Sequence, residues 1–165
     1  MTDEYIDLYL DYANQHDYLA DLVHNRNRGI SDDSMLKTLI KEALSSIQYC
    51  HSEGVIHADI KLENFLIQES QGHMVLKLAD FGLSHRLDPQ LDGFLMKELA
   101  GTGQYIAPEC GKAKVVSSAI DIWSFGICMY EMAVGYKPHL ICRRFYQIGE
   151  VPFDEKDWAS IDPEL

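Results

Sequence analysis

His57-Ala58-Asp59-Ile60-Lys61-Leu62-Glu63-Asn64 sets a carboxylate, a lysine two residues on and an asparagine three further on between a stretch of helical period and a stretch of strand character. Upstream, Leu36, Leu39, Ile40, Ala43, Leu44 and Ile47 recur at three- and four-residue steps, the mark of a helix with one buried face. Ser31 is its expected N-cap, with Asp32 and Asp33 in the first turn, where carboxylates meet the positive end of the helix dipole. Gly54 is its expected terminator. Downstream, Phe65-Leu66-Ile67 and Met74 to Leu78 read as short apolar strands around Glu69-Ser70-Gln71-Gly72, a hairpin. Taken alone, a polar loop between such elements is an ordinary solvated turn.

Further out, Asp80-Phe81-Gly82 follows directly on the second strand. From Gly82 to Gly103 periodicity is poor, and a loop this long inside a compact domain is usually functional. Ala107-Pro108-Glu109 then resembles a helix start, with proline at an early position. Ala119 to Gly135 is largely apolar but contains Asp121 and Glu131, and it falls short of the ~20 residues of a spanning helix. It is expected to be a buried core helix. Asp-x-Gly and Ala-Pro-Glu are each commonplace; their joint occurrence in this order is not a chance arrangement.

Toward the start, Tyr5 to Tyr12 reads as a strand, Ala13-Asn14-Gln15-His16 as a connector, and Asp17 as the cap of a short helix running to about His24. Asn25 to Gly29 offers no core side chain and reads as a loop. Helices around a small hairpin and a long loop make a mostly helical body of α+β character.

Bulk composition excludes several classes. Apolar residues are 47% of the 165, enough for one packed core. The formal net charge of -12 argues against nucleic acid, whose phosphates are neutralised by Lys and Arg, and against anionic lipid. It suits a basic partner. Cys50, Cys110, Cys128 and Cys142 form no Cys-x-x-Cys pair, and seven histidines show no His-Glu-x-x-His pattern, so zinc chemistry is unsupported. Scattered thiols fit a cytoplasmic or nuclear protein. Met1-Thr2-Asp3-Glu4 is acidic and unlike a signal peptide.

The three motifs together resemble those of the eukaryotic protein kinase family, whose catalytic loop H-R-D-x-x-x-x-N is followed by D-F-G and A-P-E. His57, Asp59 and Asn64 match the first, Asp80 to Gly82 the second and Ala107 to Glu109 the third. Asp121-Ile122-Trp123-Ser124-Phe125-Gly126 is similar to the family's D-x-W-S-x-G at the head of its buried central helix. The resemblance covers nearly the whole chain. It implies a partial kinase domain over 1–165, with a hinge region at 4–17, a catalytic loop at 57–64 and an activation segment at 80–109. The implied fold is the mainly helical C-terminal lobe with its β-hairpin, the N-terminal lobe and final helices being absent.

Roles follow by the same resemblance. Asp59 would orient the acceptor hydroxyl and take its proton, Lys61 would neutralise the transferring phosphoryl group, and Asn64 and Asp80 would hold Mg2+ through oxygen. ATP would meet Leu10, Asp11 and Ala13 at the hinge, Asp17 near the ribose and Leu66 beneath the adenine; Leu10 and Leu66 read equally as core residues. Thr102, in Gly101-Thr102-Gly103-Gln104-Tyr105-Ile106, would contact Asp59 and Lys61 in the substrate-binding loop. Lys61 and this loop point to serine/threonine acceptors. Asp17 and Glu63 fall where some family members contact basic substrate residues, and they read equally as two exposed acids.

Two departures qualify the resemblance. The sequence contains no glycine-rich phosphate loop, no Val-Ala-Ile-Lys strand and no partner glutamate, and Pro163-Glu164-Leu165 resembles the start of another helix. Ala58 stands where most of the family has the arginine that pairs with an activation-loop phosphate, so loop order is expected from packing through Leu91, Phe94, Leu95 and Met96. The reading is a Mg2+-ATP-dependent serine/threonine kinase segment, unlikely to act alone. Its rival is a non-catalytic scaffold that binds a partner through the substrate groove.

Overall fold

Asp32 leaves an extended backbone and turns its carboxylate onto the amide of Met35, 3.1 Å away, and helix α1 starts at the next residue. The cap is therefore Asp32 and not Ser31, because the last extended residue holds the capping position and a charged oxygen serves it well. The computed structural model describes residues 18–25, 29–70, 73–96, 100–111, 113–138, 151, 153–159 and 161. In chain order its helices are a short opening helix (Leu19–His24), α1 (Asp33–Ser52), α2 (Ala119–Val134) and α3 (Glu155–Trp158).

The buried stripe of α1 is Leu36, Leu39, Ala43, Ile47 and Cys50. Leu44 was expected on it but is 43% exposed, since steps of three and four from Leu39 and Ala43 carry the face past it. Gly54, with φ +69, follows the last turn and frees the chain to reverse. The opening helix buries Leu19, Ala20 and Val23; its N-cap is Tyr18, without a side-chain cap bond. The expected cap Asp17 and the expected strand Tyr5 to Tyr12 lie outside the described residues.

Strands β1 (Val55–Ile56), β2 (Phe65–Ser70), β3 (His73–Leu78), β4 (His85–Arg86), β5 (Phe94–Leu95) and β6 (Val115–Val116) form three antiparallel pairs. The hairpin β2–β3 runs in register from Phe65 opposite Leu78 to Ser70 opposite His73. Alternation turns Phe65 and Ile67 inward, where they meet Leu76 and the α1 stripe. The pairs β1–β4 and β5–β6 pin the irregular stretch that lacked periodicity. At Gly93 a Cβ would lie 2.3 Å from the Val116 carbonyl oxygen, so only glycine lets the strands approach.

Helix α2 is the axis. Ile120, Phe125, Ile127, Cys128, Tyr130, Met132, Ala133 and Val134 are all buried, as its apolar composition requires. Asp121, Ser124 and Glu131 are buried with them and need internal partners. No helix among the described residues is long and apolar enough to cross a membrane. One core joins α2 to α1, the opening helix and the hairpin. A smaller one gathers Ile56, Phe94, Ala107, Cys110, Val116 and Ile120. The 57–64 loop lies between the two.

Candidate active site

The loop 57–64 is held from below by one carboxylate. Asp121, 1% exposed in the first turn of α2, accepts the backbone N–H of Ala58 on Oδ1 and that of His57 on Oδ2, both at 2.8 Å. His51 at the end of α1 adds a third contact to Oδ2, also 2.8 Å. This clamp imposes an unusual backbone: Ala58 has φ +62. A non-glycine residue in that region costs about 1–3 kcal/mol and persists only where its surroundings over-determine it. His57 is tied across the site, its Nε2 donating to the Ala79 carbonyl at 3.0 Å and its Nδ1 accepting from Asp59 N at 3.3 Å. Its ring meets Phe81 edge-on, centroids 4.8 Å apart.

Asp59 then projects into a ring of donors. Its Oδ1 accepts from the backbone N–H and the hydroxyl of Thr102, both at 2.9 Å. Its Oδ2 accepts from Lys61 Nζ at 2.7 Å and, more distantly, from Asn64 Nδ2 at 3.4 Å. Lys61 also donates to Thr102 Oγ1 at 3.0 Å, which closes a triangle of Asp59, Lys61 and Thr102. Burial by itself would raise the Asp59 carboxyl, but hydrogen bonds from Lys61 and Thr102 together outweigh it and hold the group below its ordinary value. A charged carboxylate fixed in this way is a ready hydrogen-bond acceptor for a hydroxyl.

Asn64 spends its amide nitrogen on the Asp59 carbonyl, 2.8 Å away, so its Oδ1 is the atom left for a cation. Its backbone carbonyl accepts from Ala79 N at 2.9 Å, which brings Asp80 alongside. Asp80 is exposed, has φ +61, and accepts the Gly82 N–H on Oδ1 at 3.2 Å. Asp80 is open to solvent whereas Asn64 is only 6% exposed; oxygen donors of this kind suit a hard cation that keeps most of its ligands as water and phosphate. No cluster of three or more His, Cys, Asp or Glu side chains with metal-binding geometry occurs among the described residues. The oxygen donors of Asn64 and Asp80 fit a hard cation such as Mg2+.

The remaining expected residues fall in different places. Leu66 is half-buried on β2 and bridges Tyr18. Leu10, Asp11, Ala13 and Asp17 lie outside the described residues. Glu63 is half-exposed, within 3.3 Å of the Tyr105 hydroxyl and 3.9 Å of Lys137 Nζ. Three residues were not singled out in the sequence as site groups. Tyr105 and Glu131 share a 2.7 Å hydrogen bond beneath Glu63, and Lys137 faces both acids. A glutamate inside the apolar run of α2 was the available signal, because a buried acid needs a partner.

Comparisons with known proteins bear on the family. The family profile described as "Protein kinase domain" matches residues 1–158. A probable serine/threonine-protein kinase, fhkE of Dictyostelium discoideum, is 32% identical over 99% of this chain and 24% of its own length. Calcium/calmodulin-dependent protein kinase type II of Caenorhabditis briggsae is 37% identical over 76% of this chain and 24% of its own. Inhibitor of nuclear factor kappa-B kinase subunit alpha of Danio rerio is 38% identical over 68% of this chain and 14% of its own. The chain thus spans about a quarter or less of the length of these relatives. With a matched profile over most of its length and the motif residues gathered at one site, the chain belongs to the eukaryotic protein kinase family.

Proposed function

We propose that the protein transfers the γ-phosphoryl group of ATP to serine or threonine hydroxyls of a protein substrate, with 57–64 as the catalytic loop and 80–109 as the activation segment of a kinase C-terminal lobe. The observation that carries the reading is the Asp59–Lys61–Thr102 triangle, with Asp80 drawn beside it through the backbone of Asn64. Asn64 and Asp80 would hold the Mg2+ of Mg2+-ATP, which would supply the phosphoryl group and temper its charge. Asp59 orients the acceptor hydroxyl and takes its proton as the hydroxyl oxygen bonds to the γ-phosphorus and the bond from that phosphorus to the bridging oxygen breaks, with ADP leaving. Lys61 keeps Asp59 ionised until then and offers positive charge beside the equatorial oxygens. Thr102 locks both side chains in place, and an adenine would lie over Leu66.

Serine/threonine choice is supported by Lys61 bonding Thr102, which ties the substrate-binding loop to the catalytic loop. The net charge of -12 favours basic flanks around the acceptor. Glu63 faces Lys137, which bears on where in a peptide such a preference falls. The unpaired thiols of Cys50, Cys110 and Cys128 suit a cytoplasmic or nuclear setting.

The test is transfer of labelled phosphate from ATP to a library of serine, threonine and tyrosine peptides by the full-length protein. Label on serine or threonine that disappears in Asp59→Asn is the expected result. The 165 residues alone contain no glycine-rich phosphate cover and no strand lysine, and by themselves they should be silent in this assay. Label confined to tyrosine would overturn the acceptor choice. Peptide binding without transfer by the full-length protein would favour the scaffold reading.

A further inference from the structure

Glu131 is a carboxylate set into the apolar helix α2 and only 2% exposed. The Tyr105 hydroxyl donates to its Oε2 at 2.7 Å. His24 Nε2 lies 2.9 Å from its Oε1, and Lys137 Nζ lies 3.6 Å from the same oxygen. Glu63 faces the same lysine: its Oε1 is 3.9 Å from Nζ, and its Oε2 is 3.3 Å from the Tyr105 hydroxyl. The Lys137 ammonium also sits over the Tyr105 ring, 4.6 Å from its centroid. Neither contact to a carboxylate is of hydrogen-bond length. The ammonium is therefore held as a point charge between two acids and an aromatic face, a favourable site for any compact cation.

This cluster adjoins the reaction site along two strings of residues. Glu63 stands between Lys61 and Asn64 in the catalytic loop, and Tyr105 comes three residues after Thr102. On the catalytic-loop side it opens to solvent at Glu63, whose side chain is 44% exposed, and on the far side of Glu131 at His24, 46% exposed, whereas the side chain of Lys137 is 13% exposed. A peptide lying across Thr102 would reach the acids from the Glu63 side. A basic side chain arriving there would find both carboxylates already facing a cation and would have to oppose or displace it.

We infer that Lys137 is a specificity-determining residue: as an internal cation it fills the Glu63–Glu131 acidic pair, so that the groove beside Thr102 takes a neutral rather than a basic side chain at that point. The inference rests on the kinase reading for its substrate, but the occupancy of the acidic pair does not depend on turnover. It also separates two sources of preference for basic peptides. The overall negative charge attracts them wherever the basic residue lies; a filled acidic pair gives no added preference at one position.

The test is fluorescence anisotropy with full-length protein and peptides of constant net charge, in which alanine replaces the acceptor and one arginine is moved stepwise along the chain. In the native protein, no arginine position close to the acceptor should bind better than a remote one. Lys137→Met keeps the aliphatic stem and removes the charge, so one near position should gain about tenfold, the scale of one partly desolvated ion pair. Lys137→Met combined with Glu63→Gln should lose that gain. Lys41→Met, at an exposed position on α1, changes the net charge equally and should give none. A folded Lys137→Met protein without a positional gain would overturn the inference. If that variant does not fold, Glu63→Gln alone decides: an unchanged positional pattern supports the inference, and loss of an arginine preference already present in the native protein overturns it. Phosphate transfer is measured on the same proteins. A binding switch without transfer counts against the kinase reading alone, and transfer without a switch counts against the inference alone.

Discussion

Asp59 has both carboxylate oxygens engaged, by Thr102 on one side and Lys61 on the other, and two predictions follow from that arrangement. Asp59→Asn should lower turnover by about 10²–10⁴-fold, the usual worth of a positioned general base, while ATP affinity stays near native. Asp80→Asn should instead weaken Mg2+-dependent nucleotide binding. Isothermal titration and steady-state rates on both variants separate the roles, and identical binding defects with turnover intact would show them misassigned. The second prediction concerns protons. Because the Asp59 value is depressed in the folded state, its contribution to stability is present above the ordinary carboxylate value of about 3.9 and is lost as pH falls through the lower folded value. Thr102→Val removes the hydroxyl bond and leaves burial less opposed, so the Asp59 value should rise. Carboxyl carbon NMR titration reads this directly, and a fall would contradict it. At this scale it was the family resemblance carried by the motifs that made Asp59, Lys61, Asn64, Asp80 and Thr102 legible as one group. Tyr105, Glu131 and Lys137 were not, because each looks ordinary until the fold brings residues 63, 105, 131 and 137 together.

Between the elements, the decisive connection is a side chain on a helix holding the backbone of a loop. Asp121 serves two consecutive N–H groups and His51, so α2 and the end of α1 jointly set the shape of 57–64. Asp121→Asn puts an amide nitrogen where an acceptor is needed and leaves one buried donor unpaired. It should cost about 2–4 kcal/mol. Urea denaturation measures this, and a loss under about 0.5 kcal/mol, the ordinary surface range, would show that the clamp bears no load. Gly93→Ala acts on a different element, the β5–β6 pair, by driving a methyl group into the Val116 carbonyl. The Met96 amide, now bonded to Lys114 O at 3.0 Å, should exchange faster with solvent, while the α2 amides stay protected. Equal exchange in both proteins would mean that the strands accommodate the methyl group. The long elements were legible because periodicity over many residues averages out single exceptions such as Leu44. The two-residue strands were not, since so short a segment carries no period and their pairing is decided by partners some 20 to 30 residues away.

Across the whole molecule, the described part of the 80–109 segment is tied to the body by strand pairs, a ring stack and the contacts of Thr102 and Tyr105 with Asp59, Lys61 and Glu131, none of which involves a phosphate. Its early part pairs with β1, its middle with β6, and His85 stacks on Phe94 with ring centroids 3.9 Å apart. Phe94 is buried in the smaller core and Met96 packs against it, whereas Leu91 and Leu95, also expected to help, are exposed. Ala58 offers no charge or side-chain donor, so the charge-assisted contact that would reward a phosphate on this segment is not available from that position. The hydroxyls agree. Between Gly82 and Ala107 they are Ser84, Thr102 and Tyr105 alone. Ser84 donates to the Phe81 carbonyl at 2.7 Å, Thr102 is engaged with Asp59 and Lys61, and Tyr105 is buried on Glu131. Adding a phosphate to Thr102 or Tyr105 would break these contacts instead of ordering the segment. The full-length protein should therefore keep its transferase rate, within about twofold, after phosphatase treatment that mass spectrometry confirms has left the segment bare; a twofold change is only about 0.4 kcal/mol and far below the effect of losing an ordering contact. A rate that collapses on dephosphorylation and returns when Ser84 is phosphorylated again would show that the segment needs a charge after all, and that strand pairing and the His85–Phe94 stack are too weak to hold it.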